Sequence, residues 1–276
     1  MTYEEFWRPL TQVYEQSEAK AVAQLVFEQR FHLSLADVLC GRTGDGAELH
    51  QIQQRLLQGE PVQYVLGVAE FGPHIFHVAP GVLIPRPETY ELCQWITGEQ
   101  SSHTILDIGT GSGCIACTLA AELPQATVTA WDISEEALRI ARKNAECLGV
   151  TVTFEQVDVL NMSLTYRPSP LTSHKRDLIV SNPPYICQKE RTTMEQNVLE
   201  HEPDIALFVP DEDPLLFYRA IAEFGLQDLK PGGWLYFEIN PLYADDMREM
   251  LSVMSYHNIE IKEDQFGKQR MIRAQR

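Results

Sequence analysis

Over the first seventy residues the apolar positions recur at helical spacing. Tyr3, Phe6, Leu10, Val13 and Tyr14 form one stripe and predict an opening helix. Ser17 is placed to cap a second helix carrying Ala21, Leu25, Val26 and Phe27. Ser34 and Asp37 make a capping-box pattern ahead of Val38 and Leu39. Leu49 to Leu57 forms a further short helix between the break at Gly41 to Gly46 and Gly59-Glu60-Pro61. The period then changes. Phe71 to Val78 alternates, turns at Ala79-Pro80-Gly81 and resumes as Val82-Leu83-Ile84, the pattern of a β-hairpin closed by Pro85-Arg86-Pro87. The division expected is a helical domain over 1–70, a hairpin linker over 71–87 and a main domain over 88–276.

Beyond residue 87, strand-like and helical runs alternate. Thr104 to Ile108, Thr127 to Trp131, Val152 to Phe154, Leu178 to Ser181 and Gly233 to Ile239 read as strands. Cys114 to Leu123 and Phe217 to Leu229 read as helices, as does the segment capped by Ser134 and ending near Gly149, with Glu135 and Glu136 in its favourable first turn. Strand–helix repetition with short connections predicts an α/β fold, a mainly parallel sheet covered on both faces. Residues 161–176, with Arg167, Pro168, Pro170, Lys175 and Arg176, make a loop longer than the connection requires, and no function is assigned to it.

Composition adds exclusions. The 276 residues are 44% hydrophobic and 22% charged, an ordinary globular balance. No run approaches the length of a membrane-spanning helix, and the acidic start Met1-Thr2-Tyr3-Glu4-Glu5 lacks a signal-peptide pattern, so a cytoplasmic protein is expected. The 39 acids against 22 bases give a formal charge of -17. Such a surface disfavours stable nucleic-acid binding, where phosphate contacts dominate affinity, and suits a basic protein or a cationic small molecule. Cys114-Ile115-Ala116-Cys117 raises redox or zinc chemistry, but there is no second such pair and the motif opens an apolar stretch. Core packing is the expectation, with no metal.

Two features carry chemistry. Asp107-Ile108-Gly109-Thr110-Gly111-Ser112-Gly113 lies between a strand and a helix, the edge where open α/β sheets bind ligands. A dinucleotide fingerprint would place its third glycine at 114, where this chain has Cys114, and this disfavours an NAD-dependent dehydrogenase. Asp132, at the end of the second strand, can accept hydrogen bonds from both ribose hydroxyls of an adenosine, and Asp158, after the third, from an adenine amino group. For each acid the plainer reading is a cap or a solvated turn, most of all for Asp158. Loop and first acid resemble the class I methyltransferases that bind S-adenosyl-L-methionine and release S-adenosyl-L-homocysteine. In that resemblance Asp107 and the glycine loop lie against the methionine part of the cofactor.

The second feature, Asn182-Pro183-Pro184-Tyr185, follows the fourth strand. Alone, a double proline there is a stiff loop. On a nucleoside-binding edge it suits methylation of a planar NH₂ group, whose delocalised lone pair makes it a poor nucleophile. The Asn182 side-chain oxygen and the Pro183 carbonyl can each accept one N–H, the prolines hold the geometry, and Tyr185 offers its ring to the substrate plane. Orientation and hydrogen bonding then supply the catalysis. The tetrapeptide is shared by enzymes acting on adenine N6, guanine N2 and glutamine, so it defines a class of nitrogen rather than a substrate.

A closer resemblance covers residues from about 55 to the end. Gly59-Glu60-Pro61-Val62-Gln63-Tyr64-Val65-Leu66-Gly67, Phe71-Gly72, Val82-Leu83-Ile84-Pro85-Arg86-Pro87-Glu88-Thr89, Glu202-Pro203 with Ala206-Leu207, and Pro231-Gly232-Gly233-Trp234 leading to Phe237-Glu238-Ile239 resemble the HemK/PrmC family. That resemblance implies a Rossmann-like methyltransferase domain and transfer to N5 of the glutamine in the Gly-Gly-Gln motif of peptide chain release factors. By position it implies Asp107, Gly109 to Gly113, Asp132, Asp158 and Asn182 against the cofactor, and Asn182 to Tyr185 against the substrate. It also implies an N-terminal helical domain that helps recognise the release factor. Two positions depart from the family pattern: Tyr90 where Glu is common, and Val159 where an aromatic residue is common. A monomer is expected. The competing readings are a glutamine methyltransferase of a ribosomal protein, an N6-adenine nucleic-acid methyltransferase, and a non-catalytic nucleoside-binding protein.

Overall fold

The structure, a computed structural model, describes residues 1–99, 104–161 and 175–276, and the chain divides into two units. The first comprises Met1–Val68 with Glu195–His201. It is built from α1 (Tyr3–Leu10), α2 (Gln16–Phe31), α3 (Leu35–Leu39), α4 (Gly46–Leu57) and α5 (Val62–Leu66). Phe6, Leu10, Phe27, Leu49 and Leu56 are fully buried in its core, with Phe6 and Phe27 meeting edge to face. The Ser34–Asp37 capping box forms as the sequence predicts, and a second one, Thr2 with Glu5, starts α1.

Three sequence expectations need correction. The opening helix stops at Leu10 rather than running to Tyr14, because the amides of Thr11, Gln12 and Val13 bond three residues back and tighten the chain into turns. The second helix starts at Gln16 with Glu15 at its N-cap, leaving Ser17 inside the first turn; the Glu15 carbonyl already takes the Ala19 amide. The hairpin pairs β1 (Val68–Phe71) with β2 (His74–His77), so its reversal lies at Gly72-Pro73 and not at Ala79-Pro80-Gly81. Gly72 adopts φ +57°, and a Cβ there would fall 2.3 Å from the Tyr90 ring, which permits only glycine. Val82 to Ile84 gain no strand partner, and the Ile84 amide donates instead to the Glu202 carboxylate at 3.1 Å.

The second unit comprises Ala69–Met194 and Glu202–Arg276. In chain order it continues with α6 (Pro87–Glu99), β3 (Thr104–Ile108), α7 (Cys114–Glu122), β4 (Thr127–Asp132), α8 (Glu135–Leu148), β5 (Val152–Gln156), β6 (Arg176–Ser181) and β7 (Ile186–Cys187). After α9 (Gln196–His201), which falls in the first unit, come α10 (Asp204–Leu207), β8 (Phe208–Val209), α11 (Leu216–Asp228), β9 (Leu229–Glu238), α12 (Ala244–Val253), β10 (His257–Glu263) and β11 (Gln269–Gln275). Among the described residues seven strands form one sheet in the order β10-β11-β9-β6-β3-β4-β5, with β11 running against the direction of the other six. Alternation puts Ile179 and Phe237 in one core layer, and Leu178, Val180 and Tyr236 in the other, so helices cover both faces. From β3 the chain moves outward through β4 and β5, then returns to lay β6 on the other side of β3. The switch point between β3 and β6 opens a crevice at the carboxyl ends of the strands. Most of the long connection expected over 161–176 lies outside the described residues. Among those residues no helix is long and apolar enough to cross a membrane.

Candidate functional site

A cavity of about 310 Å³ occupies that crevice. Gly109 and Gly111 reach it from the β3–α7 loop, Asp132 from the end of β4, and Asp158 from beyond β5. Asn182, Pro183 and Pro184 reach it from the end of β6. Ile133, Val159, Leu160 and Ile221 give much of the wall an apolar surface. Other predicted site residues lie behind this lining. Asp107, Thr110 and Ser112 are buried beneath the loop, Gly113 caps α7, and Tyr185 points its hydroxyl into the protein.

The glycine loop is shaped by packing as well as by its ligand-facing edge. Gly113 adopts φ +81°, and a Cβ there would sit 3.0 Å from that of Ala141 on α8. Asn144 of α8 donates to the Ser112 carbonyl at 2.8 Å and so ties the loop to the helix behind it. Asp132 is held in two directions, Oδ2 accepting the Gly111 amide at 2.8 Å and Oδ1 the Ser134 amide at 2.9 Å. Each oxygen keeps a second lone pair. Burial raises its carboxyl above the usual range, opposed by those amides. Asp158 caps the short turn after it, accepting from the Leu160 amide at 2.9 Å and from Asn161 Nδ2 at 2.7 Å.

Asp107 is fully buried; Oδ2 accepts the Thr110 hydroxyl at 2.6 Å, while Oδ1 meets no partner of ordinary hydrogen-bond geometry among the described residues. Burial lifts its carboxyl to about 7 against the opposing pull of Thr110 and the Ala116 amide. In the unfolded chain an aspartate titrates near about 4. Between these values the folded state holds the extra proton, so the contribution of this group to stability falls as pH rises. Asparagine cannot titrate. The stability of Asp107→Asn relative to the parent should therefore improve by on the order of 2 kcal/mol between pH 5 and pH 8. Urea unfolding at both pH values measures it, and an unchanged difference would mean that Asp107 is already ionised at pH 5.

Cys114 and Cys117 do not behave as a reactive pair: burial pushes the Cys114 thiol up to about 12 and the Cys117 thiol higher still, and Cys117 is part of the core.

Several site residues escape the sequence reading. Val82, Leu83, Ile205, Ala206 and Phe217 line the cavity, although periodicity marks them only as apolar. Thr89 and Glu238 lie behind Asn182: Asn182 Nδ2 donates to Thr89 Oγ1 at 3.1 Å, and the Thr89 hydroxyl donates to Glu238 Oε2 at 2.6 Å. Tyr185 Oη donates to Glu238 Oε1 at 2.9 Å. An acid at the end of Leu235-Tyr236-Phe237 was the available signal, since a buried carboxylate needs partners.

A family described as "Methyltransferase domain" matches residues 99–217. The release factor glutamine methyltransferase of Bacteroides thetaiotaomicron is 48% identical over 273 residues, which span 97% of this chain and 96% of that protein. The enzyme of the same name from Flavobacterium psychrophilum is 39% identical over 281 residues, spanning 98% of this chain and 96% of that protein. Among solved structures, a methyltransferase from Pyrococcus furiosus aligns with a TM-score of 0.55 at 17% identity, over 82% of this chain and 98% of that one, a likeness of fold.

Proposed function

The chain belongs to the release factor glutamine methyltransferases, and on that premise we propose that it transfers a methyl group from S-adenosyl-L-methionine to the side-chain N5 of the glutamine in the Gly-Gly-Gln motif of peptide chain release factors. The observation that carries this reading is the convergence of Asn182-Pro183-Pro184 with Gly109, Gly111 and Asp132 on one cavity. The residues present fit the cofactor. Asp132, oriented by two amides, keeps lone pairs for the ribose hydroxyls. Ile133, Val159 and Leu160 offer apolar surface for the adenine, and Asp158, in the same lining, is the acid placed to accept from its amino group. Asp107, buried beneath the loop, belongs to the methionine end.

Bound there, the cofactor supplies an electrophilic methyl group. Asn182 Oδ1 and the Pro183 carbonyl accept the two N–H bonds of the glutamine amide and aim its nitrogen along the line of transfer. Pro183 and Pro184 stiffen that stretch of backbone, because proline locks φ. Much of the wall around that line is apolar. The N–C bond would form as the methyl–sulfur bond breaks, leaving S-adenosyl-L-homocysteine. One amide proton would pass by way of Asn182 Oδ1 to solvent; an N-alkylated amide cation is so acidic that no strong general base is needed.

The helical unit is assigned to recognition of the protein substrate, and the charge of -17 suits a basic partner. The reading needs only one chain and puts the protein in the cytoplasm, where release factors work. Mass spectrometry of a bacterial-type release factor incubated with this protein and S-adenosyl-L-methionine tests it. One methyl group on the Gly-Gly-Gln glutamine is the expected result. No gain in mass despite demonstrated cofactor binding would overturn the substrate and direct the same assay to ribosomal proteins and then to adenine in nucleic acid.

A further inference from the structure

Glu238 is the last residue of β9, 2% exposed, and the three residues before it are fully buried. A carboxylate in such surroundings is costly unless each oxygen finds a donor. Here Oε2 takes the Thr89 hydroxyl and Oε1 the Tyr185 hydroxyl; burial raises its carboxyl above the usual range, and those two hydroxyls and then the nearby Arg270 guanidinium oppose the rise and favour the charged form. The consequence lies one bond further on. A threonine hydroxyl has one hydrogen, and the carboxylate, which can only accept, claims it. Thr89 Oγ1 can then only accept from Asn182, so the side-chain group facing it must be the NH₂, as the 3.1 Å contact from Nδ2 has it. The Asn182 amide therefore cannot turn over without setting two acceptors against each other.

We infer that Glu238 and Thr89 are positioning residues that lock the Asn182 amide with Oδ1 toward the substrate. This deepens the reading above and rests on it for the identity of the acceptor. A glutamine amide has two ends of similar shape, an NH₂ and a carbonyl oxygen, and the oxygen is ordinarily the better nucleophile of the two. A freely turning asparagine would hold either end equally well, because it can itself donate or accept. An asparagine locked as an acceptor, beside the backbone carbonyl of Pro183, rewards only the end that carries N–H. The lock thus chooses nitrogen over oxygen before the methyl group moves. Tyr185, held by the other oxygen of Glu238, ties the far end of the tetrapeptide to the same carboxylate.

The test compares Thr89→Val, Thr89→Ser and Glu238→Gln with the parent. Valine keeps the shape of threonine but can neither accept from Asn182 nor donate to Glu238. Turnover should fall at least tenfold in Thr89→Val with cofactor affinity, measured by calorimetry, within about twofold of the parent, and Thr89→Ser should recover most of the turnover. Glu238→Gln should also lose turnover, because its amide can donate to Thr89 and so frees that hydroxyl to meet either end of Asn182. Unchanged turnover in Thr89→Val and Glu238→Gln overturns the proposal. A fold-only role predicts losses that track melting temperature and equal losses in cofactor affinity, and that pattern also overturns it. The Asn182 side-chain NH₂ signal of ¹⁵N-labelled protein, assigned by its absence in Asn182→Ala, gives a readout that needs no acceptor. It should show one slowly exchanging proton in the parent and in Thr89→Ser, and none in Glu238→Gln or in Thr89→Val. A parent that leaves release factors unmethylated removes the proposed substrate, and the NMR comparison then judges the lock by itself.

Discussion

Asn182→Ala should lower methyl transfer by at least about a hundredfold while leaving the fold intact, the scale lost when a preorganised transition-state partner is removed. The reason is geometric. An amide nitrogen has little intrinsic nucleophilicity, so most of the rate must come from holding it in line and from accepting the N–H bonds as charge develops. Asn182 lines the cavity at the end of β6, beside Pro183 and Pro184 and opposite the glycine loop. Truncation deletes one of the two N–H acceptors and leaves Thr89 with its other bond, to Glu238, untouched. The loss should therefore fall on turnover, with melting temperature little changed. Single-turnover transfer to a release factor measures it, and full turnover in this variant would sink the orientation mechanism.

Asp132→Ala should weaken binding of S-adenosyl-L-methionine by about 1–3 kcal/mol, the cost of removing a charged hydrogen-bond acceptor. The effect has two parts. The ribose loses its acceptor, and the amides of Gly111 and Ser134 lose theirs, so the glycine loop and the start of α8 are also less well held. Asp132→Asn separates them, because its side-chain oxygen can still take one amide while the charge is gone. Titration calorimetry should rank the parent tightest, then Asn, then Ala. Equal affinity for all three would remove Asp132 from the site.

The two departures from the family pattern have different standing in the fold. Tyr90 packs edge to face on Phe71, lies against Gly72 and reaches Glu122 through its hydroxyl, so it serves the hairpin and its surroundings rather than the cavity. Val159 does line the cavity and presents an aliphatic wall there.

Much of this protein is legible in its sequence. The alternation of buried strands and amphipathic helices determined a parallel α/β sheet, because periods of 2 and 3.6 are imposed by backbone geometry alone. The glycine loop, Asp132 and Asn182-Pro183-Pro184 could be read as well, since each follows directly on a strand and a parallel sheet brings its strand ends to one edge. Helix limits and the hairpin turn could not. They depended on competition between local bonds, such as the tightened turn after Leu10, and on a tertiary neighbour such as Tyr90, which permits only glycine at 72. The two strands at one end of the sheet, β10 and β11, and the helices α6 and α12 were missed because their burial is set by what lies beside them. The partners of Asn182 were beyond reach for the same reason. Thr89 and Glu238 stand 93 and 56 positions away in the chain. Only folding turns such separations into hydrogen bonds, and it is that contact, rather than any motif, that decides which way the asparagine faces.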